Sequence, residues 1–197
     1  MQRPLDFSVV ICAYTDERWG DLVAAVASVE RQTLPAQEII VVVDHNPALL
    51  ERVRGCLPHV VAVENKAGRG LGGARNSGVA AHGAIIAFLD DDAIAAPDWL
   101  AQLQAAFGDD QVLGVGGAIE PRWLGGQPVW FPTEFNWVIG ASYRGMPKTI
   151  APVRNLFGCN MAFRRDALAT LGGFRLGYGC DETEFCIRAR QRWPEAA

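Results

Sequence analysis

The chain has 197 residues, 50% of them apolar and 20% charged, and a net charge of −4. That length supports one sizeable core and not two, and an acidic balance without a clustered basic face excludes a nucleic-acid surface. Five cysteines, odd in number and without Cys-x2-Cys spacing, indicate neither a disulfide framework nor a zinc site and fit a reducing cytoplasm, while no stretch reaches the roughly eighteen apolar residues of a membrane span.

Phe7 to Tyr14 predicts a buried first strand, with Thr15-Asp16-Glu17 as its C-terminal loop. Leu22, Val23, Val26 and Val29 recur at helical steps after Asp21 and predict a helix that ends before Pro35. Glu38 to Val43 is a second buried strand with Asp44 at its tip. Pro47 near the start of Ala48 to Cys56 marks a second helix, and Val60 to Val63 a short third strand. A glycine-rich loop follows, then a helix over Ala74 to His82. The most apolar short run, Ala84 to Leu89, predicts another buried strand, and it stops at Asp90-Asp91-Asp92. Strands alternating with helices of this length mean a parallel sheet covered on both faces.

Beyond Pro97 the pattern loosens. Asp98 to Phe107 predicts a helix with Trp99, Leu100, Leu103 and Phe107 inward, and Val112 to Ile119 a strand weakened by Gly114, Gly116 and Gly117. Glu120 to Ile150 has no sustained period, only prolines, glycines and aromatics, and so long an irregular stretch is usually functional or mobile. Its aromatics between Trp123 and Tyr143 are of a kind that stacks on an acceptor sugar or lipid and equally of a kind that packs a core. Asn160 to Arg164 predicts a further strand and Asp181 to Arg192 a last helix. Arg188, Arg190 and Arg192 read as a solvated helix face, and His45, His59 and His82 as surface or loop residues without a role.

Carboxylates at the end of a buried parallel strand stand at the sheet edge where open α/β folds bind ligands. Side chains alternate along a strand, so Asp90 and Asp92 are expected on one side and Asp91 on the other. Two oxygen ligands together suit Mg2+ or Mn2+. Gly68 to Gly73 contains a literal G-x-G-x-x-G between a strand and a helix, with acids about twenty residues on, the pattern of a dinucleotide site. Against that reading, a dinucleotide fold uses one ribose-binding acid after its second strand, and this chain offers three there and another, Asp44, before the glycines. The glycines more naturally let backbone pass close to a ligand, with Arg75 beyond them to neutralise an anion.

In this order the segments resemble the family 2 glycosyltransferases, whose nucleotide-sugar-binding domain has the GT-A fold: α/β, one Rossmann-like domain with a mostly parallel central sheet flanked by helices. Phe7 to Thr15 looks like the family's first strand and nucleotide loop, which implies donor contacts at Ala13, Tyr14, Thr15 and Glu17. Ser28-Val29-x-x-Gln32-Thr33 followed by Glu38 to Asp44 is similar to its next helix and strand, whose acid contacts the base. Gly73-Ala74-Arg75-Asn76-Ser77-Gly78 looks like the loop and helix start that hold the nucleotide, and Phe88-Leu89-Asp90-Asp91-Asp92 like the metal-binding D-x-D. Gly172-Gly173-Phe174 with Asp181 to Arg188 looks like the acceptor-side helix and its catalytic acid.

The resemblance implies a metal held by Asp92 with Asp90, and ribose held by Asp90 or Asp91. It implies a carboxylate that deprotonates the acceptor hydroxyl, and inversion at the anomeric carbon. Asp181, Glu182 and Glu184 are the candidates, with Glu182 the choice. This chain has Asp-Glu where the family has Glu-Asp. Residues two apart on a helix point roughly 200° away from each other, so Glu182 and Glu184 cannot face one sugar, whereas Asp181 and Glu184 can share a face. The same acids also favour the positive end of their helix without any catalytic part.

The expected protein is a cytoplasmic transferase, compatible with work at the inner face of a membrane, for polysaccharide, glycolipid or natural-product assembly. It would take a nucleotide-diphospho-sugar, UDP favoured through Asp44, and a carbohydrate, lipid-linked or small-molecule acceptor. Residues 1–119 would form the nucleotide-sugar half and 120–197 the acceptor half, expected to be truncated because the family continues beyond the last helix. A nucleotidyltransferase is the enzyme alternative, although Ala13-Tyr14-Thr15-Asp16-Glu17 is not a glycine- and basic-rich triphosphate loop. A nucleotide-binding domain without turnover is the other.

Overall fold

The apolar runs at Phe7–Ala13 (β1) and Ile85–Asp90 (β4) lie side by side in parallel at the centre of one sheet. The computed structural model describes residues 5–177 and 179–196. Parallel to β1 on its other flank runs Glu38–Val43 (β2), and beyond it Val61–Glu64 (β3). On the far side of β4, Asn160–Arg164 (β6) pairs antiparallel and carries the three-residue Gly114–Gly116 (β5) on its outer edge, giving the order β3-β2-β1-β4-β6-β5. The sheet therefore joins strands from both halves of the sequence.

Central strands in such a sheet are buried on both faces, which is why they read as unbroken apolar runs. On one face Val9, Ile11, Ala13 and Ile85 pack under Trp19–Glu30 (α1), Pro47–Cys56 (α2) and Trp99–Ala106 (α4), through Leu22, Val26, Leu49, Val53, Leu100 and Leu103. On the other, Val10, Ile86, Phe88 and Met161 pack under Leu71–Gly78 (α3), Arg165–Thr170 (α5) and Asp181–Arg192 (α6), through Ala74, Leu168 and Phe185.

The Ser28/Gln32 pair is part of this framework. Both are buried in or beside α1. The Ser28 hydroxyl accepts the Ala95 amide at 3.0 Å, and the Gln32 side chain donates to the Ala96 carbonyl at 2.6 Å and accepts the Leu100 amide at 2.9 Å. Asp98 makes no side-chain cap on α4, so Gln32 satisfies one of its orphan amides from outside the helix. The loop that follows the aspartates is thereby pinned to α1.

Four elements depart from expectation. α3 starts at Leu71 and ends at Gly78, displaced from the predicted 74–82, because the glycines counted as loop are packing positions. A Cβ at Gly73 would overlap the Gly68 carbonyl, and one at Gly78 would sit 2.5 Å from Val10 Cγ1. β5 keeps only 114–116 of the predicted 112–119. Two short helices, a 3-10 turn at Thr133–Ile139 and α5, escape detection because neither is long enough to display a period.

Gly78→Ala is expected to destabilise the fold by about 1–3 kcal/mol through overpacking. Gly55→Ala in α2, where nothing lies within 4 Å, should be neutral or stabilising by up to about 1 kcal/mol. Urea unfolding of the two variants checks the contrast.

Candidate active site

The C-terminal ends of β1, β2 and β4 open onto one cavity of 730 Å³, the position at which doubly wound sheets bind nucleotides. Its walls are Cys12, Ala13 and Tyr14 after β1, Asp44, His45 and Asn46 after β2, Arg69 to Leu71 with Ala74 of α3, and Asp90 with Asp91 at the end of β4; Arg18 closes one side. Of the expected donor contacts, Ala13, Tyr14, Asp44, Asp90 and Asp91 are on this wall. Thr15, Glu17, Gly73, Arg75, Asn76 and Asp92 are not. Thr15 accepts the Glu17 amide and so starts the 3-10 turn at Asp16–Arg18, leaving Glu17 exposed.

The strand ends at Asp90, so the strict alternation expected of the three aspartates stops there. Asp91 and Asp92 lie in the following turn and share the Arg18 guanidinium, at 3.2 and 3.1 Å. Burial raises the Asp90 and Asp91 carboxyls above the usual range; Arg75 beside Asp90 and Arg18 beside Asp91 offset part of that, and repulsion from Asp92 adds to it. Asp91 Oδ2 is buried without a hydrogen-bond partner. Crowded, hard, incompletely paired oxygens fit a divalent cation. Among the described residues no three His, Cys, Asp or Glu side chains converge on one point. Mg2+-type sites need only one or two carboxylates and complete the shell with substrate phosphate and water.

Asp44 holds the opposite wall. Its carboxylate accepts from Asn65 Nδ2 at 2.6 Å, from the Gly70 amide at 2.9 Å, and pairs with His45 Nδ1 at 2.7 Å. Burial opposes its ionisation, yet these bonds together hold its carboxyl below the usual range. Gly70, at φ +115, turns its amide inward, and Asn65 also reaches the Gly68 carbonyl and the Ser77 hydroxyl. The glycine loop is thus clasped to the tip of β2. It follows β3, the edge strand, whereas a dinucleotide fold places its glycine turn after the first, central strand. Arg18, His45 and Asn65 were not singled out from sequence for the site. Each lies within five residues of a strand end, the one signal that would have found them.

Behind the cavity Arg75, only 2% exposed, faces acids from two directions. Its Nη1 donates to Asp181 Oδ1 at 2.8 Å and lies 3.7 Å from Glu182 Oε2, while Nη2 is 3.8 Å from Asp90 Oδ1. The guanidinium sits 5.7 Å above the Phe174 ring, and a Cβ on Gly158 would overlap Nη2. Asp181 is buried and committed to Arg75. Glu182 is half-buried, and its carboxyl is raised by burial and by the neighbouring Asp181 carboxyl, with Arg75 offsetting part.

Glu184 is placed elsewhere. It chelates Arg188 at 2.7 and 2.8 Å and approaches Arg175 at 3.2 Å. Arg188 in turn donates to the Leu171 and Gly173 carbonyls at 2.6 and 2.7 Å, so it is not part of a solvated face, although Arg190 and Arg192 are exposed. The turn it holds has Gly172 and Gly173 both at φ +71, and a Cβ on Gly173 would overlap Asn76 Oδ1. Asn76 pairs with both the amide and the carbonyl of Phe174, at 2.8 and 2.7 Å. The Gly-Gly-Phe sequence is therefore the hinge that docks α6 onto α3. A larger cavity of 1020 Å³ runs along α6 past Tyr143, Phe185 and Trp193 and includes none of these acids.

A nucleotide cavity at this sheet edge, with aspartates on one wall and a second acidic pair joined to them through a buried arginine, defines a nucleotide-binding α/β domain of the GT-A class. Residues 8–172 match the family described as Glycosyl transferase family 2, and the chain belongs to that family. It is 34% identical over 201 residues to the glucosyl-dolichyl phosphate glucuronosyltransferase of Haloferax volcanii, covering 95% of this chain and 64% of that protein. Among solved structures it is similar to the mannosyltransferase PcManGT from Pyrobaculum calidifontis in complex with GDP-Man and Mn2+, with TM-score 0.70, 21% identity, and coverage of 96% of this chain and 53% of that one. S. aureus TarS 1-349 in complex with UDP-GlcNAc gives TM-score 0.66 and 17% identity over 94% of this chain and 53% of that one. These two share the fold. The chain spans just under two thirds of the Haloferax relative and about half of each solved neighbour, and the family match ends before Asp181.

Arg75→Met leaves Asp181 buried without a counter-charge and is expected to cost about 3–5 kcal/mol, whereas adding Asp181→Leu should recover most of the loss. A double-mutant cycle in urea measures it, and additive losses would mean that the two side chains are not coupled.

Proposed function

We propose that this chain is the catalytic domain of an inverting, metal-assisted glycosyltransferase that moves a sugar from a nucleotide-diphospho-sugar, UDP favoured, to an acceptor hydroxyl. The observation that carries the reading is Arg75, which joins the aspartates of the donor wall to Asp181 and Glu182. Nucleoside diphosphate departs only when its growing charge is neutralised. Asp92 with Asp90 would hold Mg2+ or Mn2+, which supplies that neutralisation when bound. Ala13 and Tyr14 floor the cavity for the base, Asp44 and the clasped glycine loop form its wall, and Asp90 or Asp91 is assigned to ribose.

Glu182 is assigned as the base. Asp181 is spent on Arg75 and Glu184 on Arg188, which leaves Glu182 the one acid of the three without a short ion pair. A carboxyl raised toward working pH takes a proton more effectively than an ordinary one. One base and one direct displacement give inversion. We assign residues 1–119 to donor binding and 120–197 to the acceptor side, and favour a lipid-linked saccharide acceptor on the likeness to the Haloferax enzyme, whose name states a dolichyl phosphate substrate. Among the described residues no helix is long and apolar enough to cross a membrane. Work in the cytoplasm at the inner face of a membrane fits this acceptor.

Calorimetry with UDP, GDP and TDP, in Mn2+ and then EDTA, should give metal-dependent binding of one diphosphate that Asp92→Ala abolishes. No binding by folded protein would sink the reading, and binding without turnover would favour a nucleotide-binding domain. With a matched donor and acceptor, the base must be ionised to act, so kcat/KM should rise with pH through an inflection above the ordinary glutamate value of 4.5. Glu182→Gln should remove that limb and lower kcat by about 100- to 10,000-fold; Glu184→Gln should keep the limb.

A further inference from the structure

The segment 122–154 has its polarity reversed. Nine of the fifteen large apolar side chains that stand exposed among the described residues fall between Leu124 and Ile150, and Leu124, Val129, Trp130 and Ile150 are almost wholly in solvent. The 3-10 helix Thr133–Ile139 makes the reversal explicit. Its single buried residue is Asn136, which donates to the Ser142 carbonyl at 2.9 Å, while Phe135, Trp137, Val138 and Ile139 point outward. A short helix folded for water alone would do the opposite. The aromatics of this stretch, read from sequence as acceptor platform or core, are for the most part neither packed in the core nor on the wall of the donor cavity.

Charge selects the occupant. Arg122, Arg144, Lys148 and Arg154 are all exposed, and Glu134 is the only carboxylate between Glu120 and Asp166. Glu134 is itself paired with Arg144 at 2.9 Å. The segment is thus cationic within a chain of net charge −4. Exposed indole rings together with exposed Lys and Arg on one segment are the combination that anionic membrane surfaces hold. We propose that residues 122–154 dock the protein on an anionic lipid bilayer, with Trp130 and Trp137 entering the headgroup boundary and Arg122, Lys148 and Arg154 meeting lipid phosphates. A second copy is a poor occupant, because two such patches face to face oppose cations with one carboxylate each.

The test is cosedimentation with vesicles of phosphatidylcholine alone and of equal parts phosphatidylcholine and phosphatidylglycerol. Binding is expected to the mixed vesicles, weaker to the neutral ones, and reduced by salt. Trp130→Ser with Trp137→Ser should lower partitioning about tenfold, since partitioning follows the apolar area inserted. Lys148→Glu with Arg154→Glu should erase the preference for anionic lipid. UDP, GDP or TDP binding and the thermal melt are measured on the same variants and should not move, which separates failure of docking from failure of the transferase reading. The proposal is overturned if the folded wild type sediments with neither vesicle. It is equally overturned if the four substitutions change nothing, or if light scattering finds a dimer that the tryptophan substitutions dissociate.

Discussion

A guanidinium cannot lie buried without partners that offset its lost hydration, and the constraint that Arg75 imposes organises much of what surrounds it. Asp181 must be brought from the far end of the chain to meet it, so α6 has to begin beside α3. Gly158 has to lack a side chain where Nη2 passes. Phe174 has to present a ring face at the end of the glycine turn, and Asn76 has to grip that turn by its backbone. One cation therefore closes the second half of the chain over the first.

The same interaction couples two pieces of chemistry that the sequence separates widely. Asp90 belongs to the strand that delivers the donor-side aspartates, and Glu182 to the helix whose positive end it occupies. Both lie within 4 Å of the Arg75 guanidinium. Any cation or phosphate that changes the charge around Asp90 changes how much of Arg75 remains for Asp181 and Glu182. Under the proposed assignment, donor occupancy and the proton affinity of Glu182 would be linked through this single side chain.

Much of the parallel core is legible because its strands are continuous apolar runs ending at acids, and Phe7–Ala13, Glu38–Val43 and Ile85–Asp90 fall within a residue of expectation. α6 is found to the residue because its first turn is acidic and its last is basic. What fails is anything set by contact at a distance. The helical start at Leu71 depends on a close approach between Gly73 and Gly68, and the division of labour among Asp181, Glu182 and Glu184 depends on which arginine each meets. Local spacing carries neither. Arg18 is likewise unreadable, since its partners at Asp91 and Asp92 lie more than seventy residues along the chain.

The order in which strands enter the sheet bears on how this chain emerges from a ribosome. β4 is flanked by β1 and β6, and β6 is made long after both. Until Asn160 has been synthesised, one whole edge of the most apolar strand has no partner, and β5, which bonds only to β6, has no place in the sheet. At about 5–20 residues per second that interval lasts several seconds. During it Ile85 to Leu89 offers unpaired amides and carbonyls to any other extended chain. Pairing with Met161 and Phe163 of β6 closes that edge, so the antiparallel strand that arrives last is also the one that ends the exposure of the core strand.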